Sequence, residues 1–503
     1  MSQSFLSIQN INVNYLNNRI FSSLNFNINK GEQWALVGKS GAGKSALLQT
    51  VAGRFNITGG SIDYHFFDEY KQSHLHTEGL LTHHKLIALI EAKHHFKNLS
   101  NTTEFYYQQR YNSMDSENAL TVEQYLNGIN HLPDLGDYWT VEKVIDTLKL
   151  HQLLDEQLIK LSNGETKRLM IAAALLKHPA LLLLDNPLTG LDVQTRSLFN
   201  QILHNIIQSG ITVVIATNPK EIPEIITDIA VFEDGKISRT IKRSEFDPSS
   251  LQIDNQGPKV DSSAIKELLS LKPIPSFDHI VKMQDVKVKY ADRTILNKIN
   301  WTIKQGERWA LLGPNGAGKS TLLSLISGDN PQAYANDIVL FDKKRGSGES
   351  IWDIKQKIGF VSPELYQYFP LDNNCVQVIE SGFYDTLGLF RPSQASKTEV
   401  VLKWMKVLDI EKYNRTLLKN IPASAQRLCL LARALVKGPS LLILDEPCQG
   451  MDPFQQQNFK QVIDTICHLS NITLIYVSHY KEEIPESVSR VLRLDQGYVA
   501  EMI

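Results

Sequence analysis

At 503 residues, with 42% hydrophobic and 21% charged side chains and a formal net charge of -2, the chain can bury large cores and has no global basic excess of the kind that marks a nucleic-acid binder. Its four cysteines, Cys375, Cys429, Cys448 and Cys467, show no Cys-x-x-Cys spacing, which fits reduced thiols in the cytosol better than disulfides or structural zinc. No run of about eighteen apolar residues occurs, and the N-terminus lacks a charged region leading into a long apolar core, so neither a membrane span nor a secretion signal is expected.

Apolar and polar residues alternate from Phe5 to Tyr15 and again from Leu24 to Ile28, the period-2 signature of strands half-buried in a sheet. They lead into Gly38, Lys39, Ser40, Gly41, Ala42, Gly43, Lys44 and Ser45, a complete Gly-x-x-x-x-Gly-Lys-Ser phosphate loop placed between a strand and a helix. Its glycines let backbone N–H groups converge on phosphate oxygens. Lys44 is expected to neutralise the β/γ-phosphates, and Ser45 to offer its hydroxyl to Mg²⁺ beside a helix N-terminus.

From Asp63 to Asn118 the chain is polar and weakly periodic, apart from a strand-like run at Leu86 to Ile90. The histidines between His74 and His95 lack ligand spacing, so a solvated surface is expected and no metal site. Leu161, Ser162, Asn163, Gly164 and Glu165 precede a helical run from Lys167 to Leu176, with Ser162 and Glu165 at capping-box spacing. Ala180 to Asp185 is uninterruptedly apolar before its carboxylate, the pattern of a parallel strand buried on both faces, and puts Asp185 where a strand's carboxyl end meets Mg²⁺. A second buried strand, Ile211 to Ala216, ends at Thr217, Asn218 and Pro219, and a hairpin is expected through Asp234 and Gly235.

Residues 238–279 read as a semi-ordered linker around one short amphipathic helix, Ser262 to Leu271, between domains at 1–237 and 280–503. Beyond it the order restarts: the stretch ending at Tyr290 matches the one ending at Tyr15, and Gly306 to Gly313 matches Gly31 to Gly38. The second phosphate loop comprises Gly313, Pro314, Asn315, Gly316, Ala317, Gly318, Lys319, Ser320 and Thr321, with Ser320 as its Mg²⁺ hydroxyl. Arg345 and the glycines after it offer either an anion-friendly turn or a solvent-exposed hairpin, and the hairpin is expected. A strand and turn follow at Lys357 to Glu364, then an apolar strand, Leu441 to Asp445, continuing into Glu446 and Pro447, and a last strand ending at His479. The whole predicts an α/β protein made of two tandem P-loop domains, each a mostly parallel sheet flanked by helices, with an antiparallel β subdomain and a helical subdomain.

This order of motifs resembles the ATP-binding-cassette (ABC) ATPases across nearly the whole chain. The resemblance implies ATP and Mg²⁺ as cofactors and assigns roles: Tyr15 and Tyr290 stack on adenine, Asp185 and Asp445 hold Mg²⁺ through water, Glu446 polarises the attacking water, and His479 senses the γ-phosphate. It implies that Ser162 and Gly164 form a nucleotide-binding signature, and that two cassettes pack head to tail so that each signature serves the other's phosphate loop. Against that pattern the first half has Asn186 and Asn218 at the Glu and His positions. The second signature reads Ile421, Pro422, Ala423, Ser424 and Ala425, without glycine. All retained groups then belong with Lys319, which predicts one hydrolytic site and one degenerate holding site at Lys44. Neither half has the family's switch-loop glutamine; Glu91, Glu364, Gln108 and Gln109 stay open as substitutes.

More narrowly, Asn315 to Gln332 and Arg345 to Ile354 resemble the molybdate-transport-associated ATP-binding proteins, also known as the photorepair protein A family. This implies separate integral membrane permease subunits as partners, molybdate as a candidate substrate, and a peripheral place at the cytoplasmic face of a membrane. The alternative is a soluble tandem ATPase switching on ribosomes or nucleic acid. The Pro-broken, non-basic segment 238–279 counts against it, since such relatives carry a long charged helical linker.

Overall fold

Strands that are apolar at every position need cover on both faces, and here they form the middle of two six-stranded sheets, one in each of two compact units, Met1–Gln252 and Ile253–Ile503. The computed structural model describes residues 3–15, 18–73, 82–91, 120–129, 138–158, 161, 163–188, 193–248, 261–290, 293–370 and 372–503.

In the first unit the alternating segments are β1 (Ser4–Tyr15) and β2 (Asn18–Asn29), which pair antiparallel and, with β4 (Ile57–Asp63), make a three-stranded sheet. The larger sheet contains β3 (Trp34–Gly38), β5 (Ile87–Ile90), β6 (Leu181–Asp185), β7 (Thr212–Ala216), β8 (Asp228–Glu233) and β9 (Lys236–Lys242), in the order β5-β6-β7-β3-β8-β9. All of its pairings are parallel except the β8–β9 hairpin. Alternate residues of β6 enter different cores: Leu181 and Leu183 pack with Trp34 and Phe26, whereas Leu182 and Leu184 pack with the helices, against Leu169 and Phe199. The period-2 geometry of a strand thus splits one apolar run between two layers.

The second unit repeats this plan. Its antiparallel sheet contains β10 (Val281–Tyr290), β11 (Arg293–Ile303), β13 (Asp337–Leu340) and β14 (Lys343–Lys344). Its larger sheet runs β15-β16-β17-β12-β18-β19, built from β12 (Arg308–Leu312), β15 (Ile358–Val361), β16 (Leu441–Asp445), β17 (Thr473–Val477), β18 (Arg490–Asp495) and β19 (Tyr498–Met502). The phosphate-loop strand is central in both units, and the strand ending in aspartate lies two places from it. Both carboxyl ends therefore open at the same rim, where ligands of such sheets bind.

Within 238–279, β9 runs on to Lys242, and the helix Ser262–Ser270 is capped by Asp261 Oδ1, which accepts from Ser263 N at 3.0 Å and Ala264 N at 3.1 Å. This helix buries Ile265 and Leu268 in the second unit's helical core, beside Val401 and Trp404. The expected turn after β15 is a short helix, Pro363–Tyr368, with Ser362 as its cap.

Arg345 is a correction. It is not on an exposed hairpin; its side chain is 0% exposed and meets Glu349, 4% exposed, at 2.6 Å. The glycine turn does bind an anion, but the anion is its own. Glu349 accepts from Gly346 N at 2.9 Å and Ser347 N at 3.0 Å, and Arg345 neutralises the buried carboxylate while lying over the Tyr334 ring.

Candidate nucleotide sites

Each phosphate loop turns where only glycine fits. Gly38 and Gly313 have φ of 144° and 145°, and a Cβ there would stand 2.2 Å from Phe232 O and 2.4 Å from Leu494 O, respectively. The loops end on left-handed Gly43 and Gly318, which open the helices Lys44–Val51 and Lys319–Ser327. Lys44 Nζ donates to Gly38 O at 2.7 Å and Lys39 O at 2.9 Å; Lys319 Nζ donates to Gly313 O at 2.7 Å and Pro314 O at 3.0 Å. Both ammonium groups therefore lie across the mouth of their own loop, at the positive end of a helix.

The strand-end aspartates are buried beside these lysines. Burial pushes the Asp185 carboxyl up and nearby Glu91 adds to this, while the Ser45 hydroxyl, donating to Oδ1 at 3.0 Å, and Lys44 oppose it. Asp445 is raised further, by burial and then by Glu364 and Glu446, against Lys319. In each unit, then, a glutamate just beyond the edge strand acts on the aspartate: Glu91 after β5 and Glu364 after β15. Gln108 and Gln109 lie outside the described residues.

The next residue separates the units chemically but not geometrically. Glu446 has φ of 44° and its N–H donates to Val477 O at 3.0 Å; Asn186 has φ of 45° and its N–H donates to Ala216 O at 2.8 Å. Glu446 Oε1 stands 2.7 Å from His479 Nε2, an ion-pair distance without hydrogen-bond alignment, and Gln449 donates to Oε2 at 3.1 Å. Asn186 turns its amide to Asp185 Oδ1 at 2.9 Å, and Asn218 accepts from Lys220 N at 3.2 Å as the cap of a 3-10 turn. Beneath these segments Lys167 donates to Asn186 O at 3.3 Å, and Arg427, buried against the Tyr366 ring, reaches Glu446 O at 3.5 Å.

The tyrosines expected to stack on adenine differ in their surroundings as well. Tyr290, 39% exposed, is held at its hydroxyl by Asn330 Nδ2 at 2.9 Å; Asn330 is fully buried and also donates to Ser324 Oγ at 3.2 Å. Tyr15, 44% exposed, instead meets Phe55, with ring centroids 5.1 Å apart and the planes tilted by 36°. Sequence reading found neither Asn330 nor Phe55, although both follow a phosphate-loop helix at matching positions, in Gly53-Arg54-Phe55 and Gly328-Asp329-Asn330. Removing the Asn330 bond, by Asn330→Ala or Tyr290→Phe, is expected to weaken ATP binding at the Lys319 site about fivefold. Binding of inorganic tripolyphosphate, which has no base, should be unchanged when both are titrated calorimetrically.

Of the signature residues, Gly164 is buried in the first turn of the helix Asn163–Leu175, and Ser162 lies outside the described residues. In the second unit Pro422 opens the corresponding helix, Ala423–Leu435, without a side-chain cap, and Ser424 accepts from Gln455 at 2.9 Å.

Residues 21–189 and 296–449 match the model of the ABC transporter family. The chain belongs to this family. It is 33% identical over 481 residues to the ABC transporter ATP-binding protein ModF of Escherichia coli, spanning 92% of this chain and 91% of that protein. It is 30% identical over 484 residues to an uncharacterized ABC transporter ATP-binding protein of Schizosaccharomyces pombe, spanning 95% of each. Among solved structures, a model of ribosome-bound archaeal Pelota and ABCE1 superposes with a TM-score of 0.60 at 18% identity, over 98% of this chain and 78% of that one. At that identity the likeness speaks for the fold. This tandem ABC protein is an ATP-binding ATPase, and no helix among its described residues is long and apolar enough to cross a membrane.

The residues present fit Mg²⁺ with ATP. Each unit offers a loop hydroxyl, Ser45 or Ser320, and a strand-end carboxylate, Asp185 or Asp445, a hard oxygen set suited to Mg²⁺ that takes its other ligands from phosphate and water. The ion supplies charge neutralisation at the phosphates. Asp445 follows from this as a costly residue without it. Its raised pKa means that the stability it contributes is fully present below the ordinary carboxylate range and is lost as pH rises through the raised value. Asp445→Asn is expected to stabilise the metal-free, nucleotide-free protein at pH 7–8 by about 1 kcal/mol while removing turnover. The gain should shrink toward pH 4, and an Asp445→Asn protein that melts lower than wild type at pH 8 would contradict it.

Proposed function

We propose that ATP hydrolysis is confined to the Lys319 site, that the Lys44 site holds ATP without rapid turnover, and that the cycle drives separate integral membrane subunits. The observation that carries the asymmetry is Glu446 against Asn186 on one backbone geometry. A carboxylate beside His479 can accept a proton from water and orient it, whereas the Asn186 amide donates to Asp185 and has no basic lone pair to offer. Phosphoryl transfer needs positioning and charge neutralisation, which Lys319 and the loop N–H groups supply. Likeness to proteins described as ABC transporter ATP-binding proteins supports the membrane partner, with molybdate as one substrate to test.

The deciding experiment is a native pull-down of tagged Glu446→Gln protein with ATP, from membrane and soluble fractions. Integral membrane proteins recovered with it, and released when ATP is omitted, would support the transporter reading. Ribosomes or nucleic acid recovered instead would replace it with the soluble switch.

A further inference from the structure

The duplication provides an internal comparison at a place remote from the phosphate loops. In the second unit Trp309 Nε1 donates to Glu307 Oε2 at 3.0 Å, and the neighbouring strand places Arg490 opposite Trp309. The Arg490 guanidinium lies over the Trp309 ring, 5.5 Å from its centroid, and meets Glu307 Oε1 at 3.3 Å. Tryptophan, carboxylate and guanidinium form a closed set, with cation–π and ionic contacts to the same cation.

The first unit keeps two of the three. Trp34 Nε1 donates to Glu32 Oε2 at 3.1 Å, but the residue paired with Trp34 on β8 is Asp228. Phe26, in T-shaped contact with Trp34, also stands where the second unit has the larger Trp301 against Trp309. At this place the first unit has a groove of about 630 Å³, floored by Phe26, Trp34 and Ile237 and edged by Glu32, Asp228 and Thr240. Asp228 is 5% exposed; Lys242 takes its Oδ1 at 2.7 Å, and its Oδ2 is itself buried and without a hydrogen bond, so Asp228 acts on the groove through its charge. Glu32 Oε1 accepts from Asn29 Nδ2 at 3.0 Å. Glu32 Oε2 accepts from Asn29 N at 2.9 Å as well as from Trp34, so among the described residues neutral donors alone meet this carboxylate, and the groove carries two carboxylates to the one lysine, Lys242, bonded to Asp228. The Lys242 ammonium is held above its usual range by its bond to Asp228 and, more weakly, by Glu32 and Glu245.

We propose that this groove binds an arginine side chain of a partner protein's peptide segment, the guanidinium taking at Trp34 and Glu32 the place that Arg490 takes at Trp309 and Glu307. The charge balance favours a cation, the apolar floor suits an arginine stem, and the volume exceeds one guanidinium, leaving room for flanking residues. The second unit needs no such partner because it carries the arginine itself.

The test uses the full chain labelled with 5-fluorotryptophan, whose six tryptophans give separate ¹⁹F signals, with Trp34 assigned by Trp34→Phe. The probe is the peptide acetyl-Gly-Leu-Arg-Leu-Gly-amide, titrated to about 10 mM, against its citrulline counterpart and methylguanidinium. The Trp34 signal should shift saturably with the arginine peptide and stay still with the neutral citrulline peptide. Asp228→Arg, which supplies the cation from within, should abolish the shift while leaving ATP turnover and the other signals in place. Asp228→Asn, a milder change, should weaken binding about fivefold. A still Trp34 signal, an equal response to citrulline, or an undiminished shift in both variants would overturn the site. Methylguanidinium binding as tightly as the peptide would overturn the peptide as its occupant.

Discussion

Glu446→Gln is expected to lower steady-state ATP turnover by about 10²–10³-fold with ATP affinity retained. The amide is isosteric, so the contact with Gln449 and the loop can persist, while the group beside His479 loses its proton-accepting oxygen. The backbone supports reading Glu446 as a functional carboxylate. Its φ of 44° is a left-handed conformation that asparagine tolerates far better than glutamate, and the first unit has asparagine there, at 45°. The second unit thus bears a local strain that the first has relieved, the kind of cost found where side-chain chemistry is required. Asn186→Glu in the Glu446→Gln background should not restore turnover, because the His479 position is occupied by Asn218, which caps its own turn. Rescue to wild-type rate would show that one carboxylate is all the Lys44 site lacks. Turnover within threefold of wild type in Glu446→Gln would remove Glu446 from the chemistry.

The parts of the fold that were legible in sequence are those with a strict local geometry. The glycines of both phosphate loops, the apolar runs Leu181–Asp185 and Leu441–Asp445 and the alternation of β1 and β10 each follow from one strand, turn or helix start. What escaped depends on contacts between distant segments. Arg345 looked exposed because arginine beside glycine usually is, and only Glu349, Tyr334 and the enclosing turn make its burial tolerable. Helix Ser262–Ser270 looked like linker because its Ile265 and Leu268 find their cover some 130 residues later, beside Val401 and Trp404. Asn330 is a polar residue in a loop until its bond to Tyr290 is seen. Glu91 and Glu364 are two of several switch-loop candidates; each adds to the upward push on a strand-end carboxyl, Asp185 or Asp445, a proximity that no local pattern in the sequence encodes.

Lys319→Ala and Lys44→Ala should part company even though the two lysines look alike. Each Nζ bonds two carbonyls of its own loop with nearly the same distances, so structure alone gives them equal standing toward phosphate. Their neighbours differ. Lys319 shares its site with Asp445 and Glu446, and loss of its charge removes stabilisation of the phosphoryl group at the moment when negative charge shifts; at least about a hundredfold loss of the chemical step is expected. Lys44 lies beside Asp185 and the neutral Asn186, which stands where the other unit has the Glu446 carboxylate, so its charge is expected to hold a triphosphate rather than to serve its hydrolysis. Lys44→Ala should therefore weaken ATP retention about tenfold and slow the single-turnover step much less. Rapid-quench single turnovers with excess protein separate these terms, because retention is read from nucleotide release and chemistry from product formation. Equal loss of the chemical step in both variants would mean that both sites hydrolyse, and that the Glu446 to Asn186 difference tunes the rate without dividing labour.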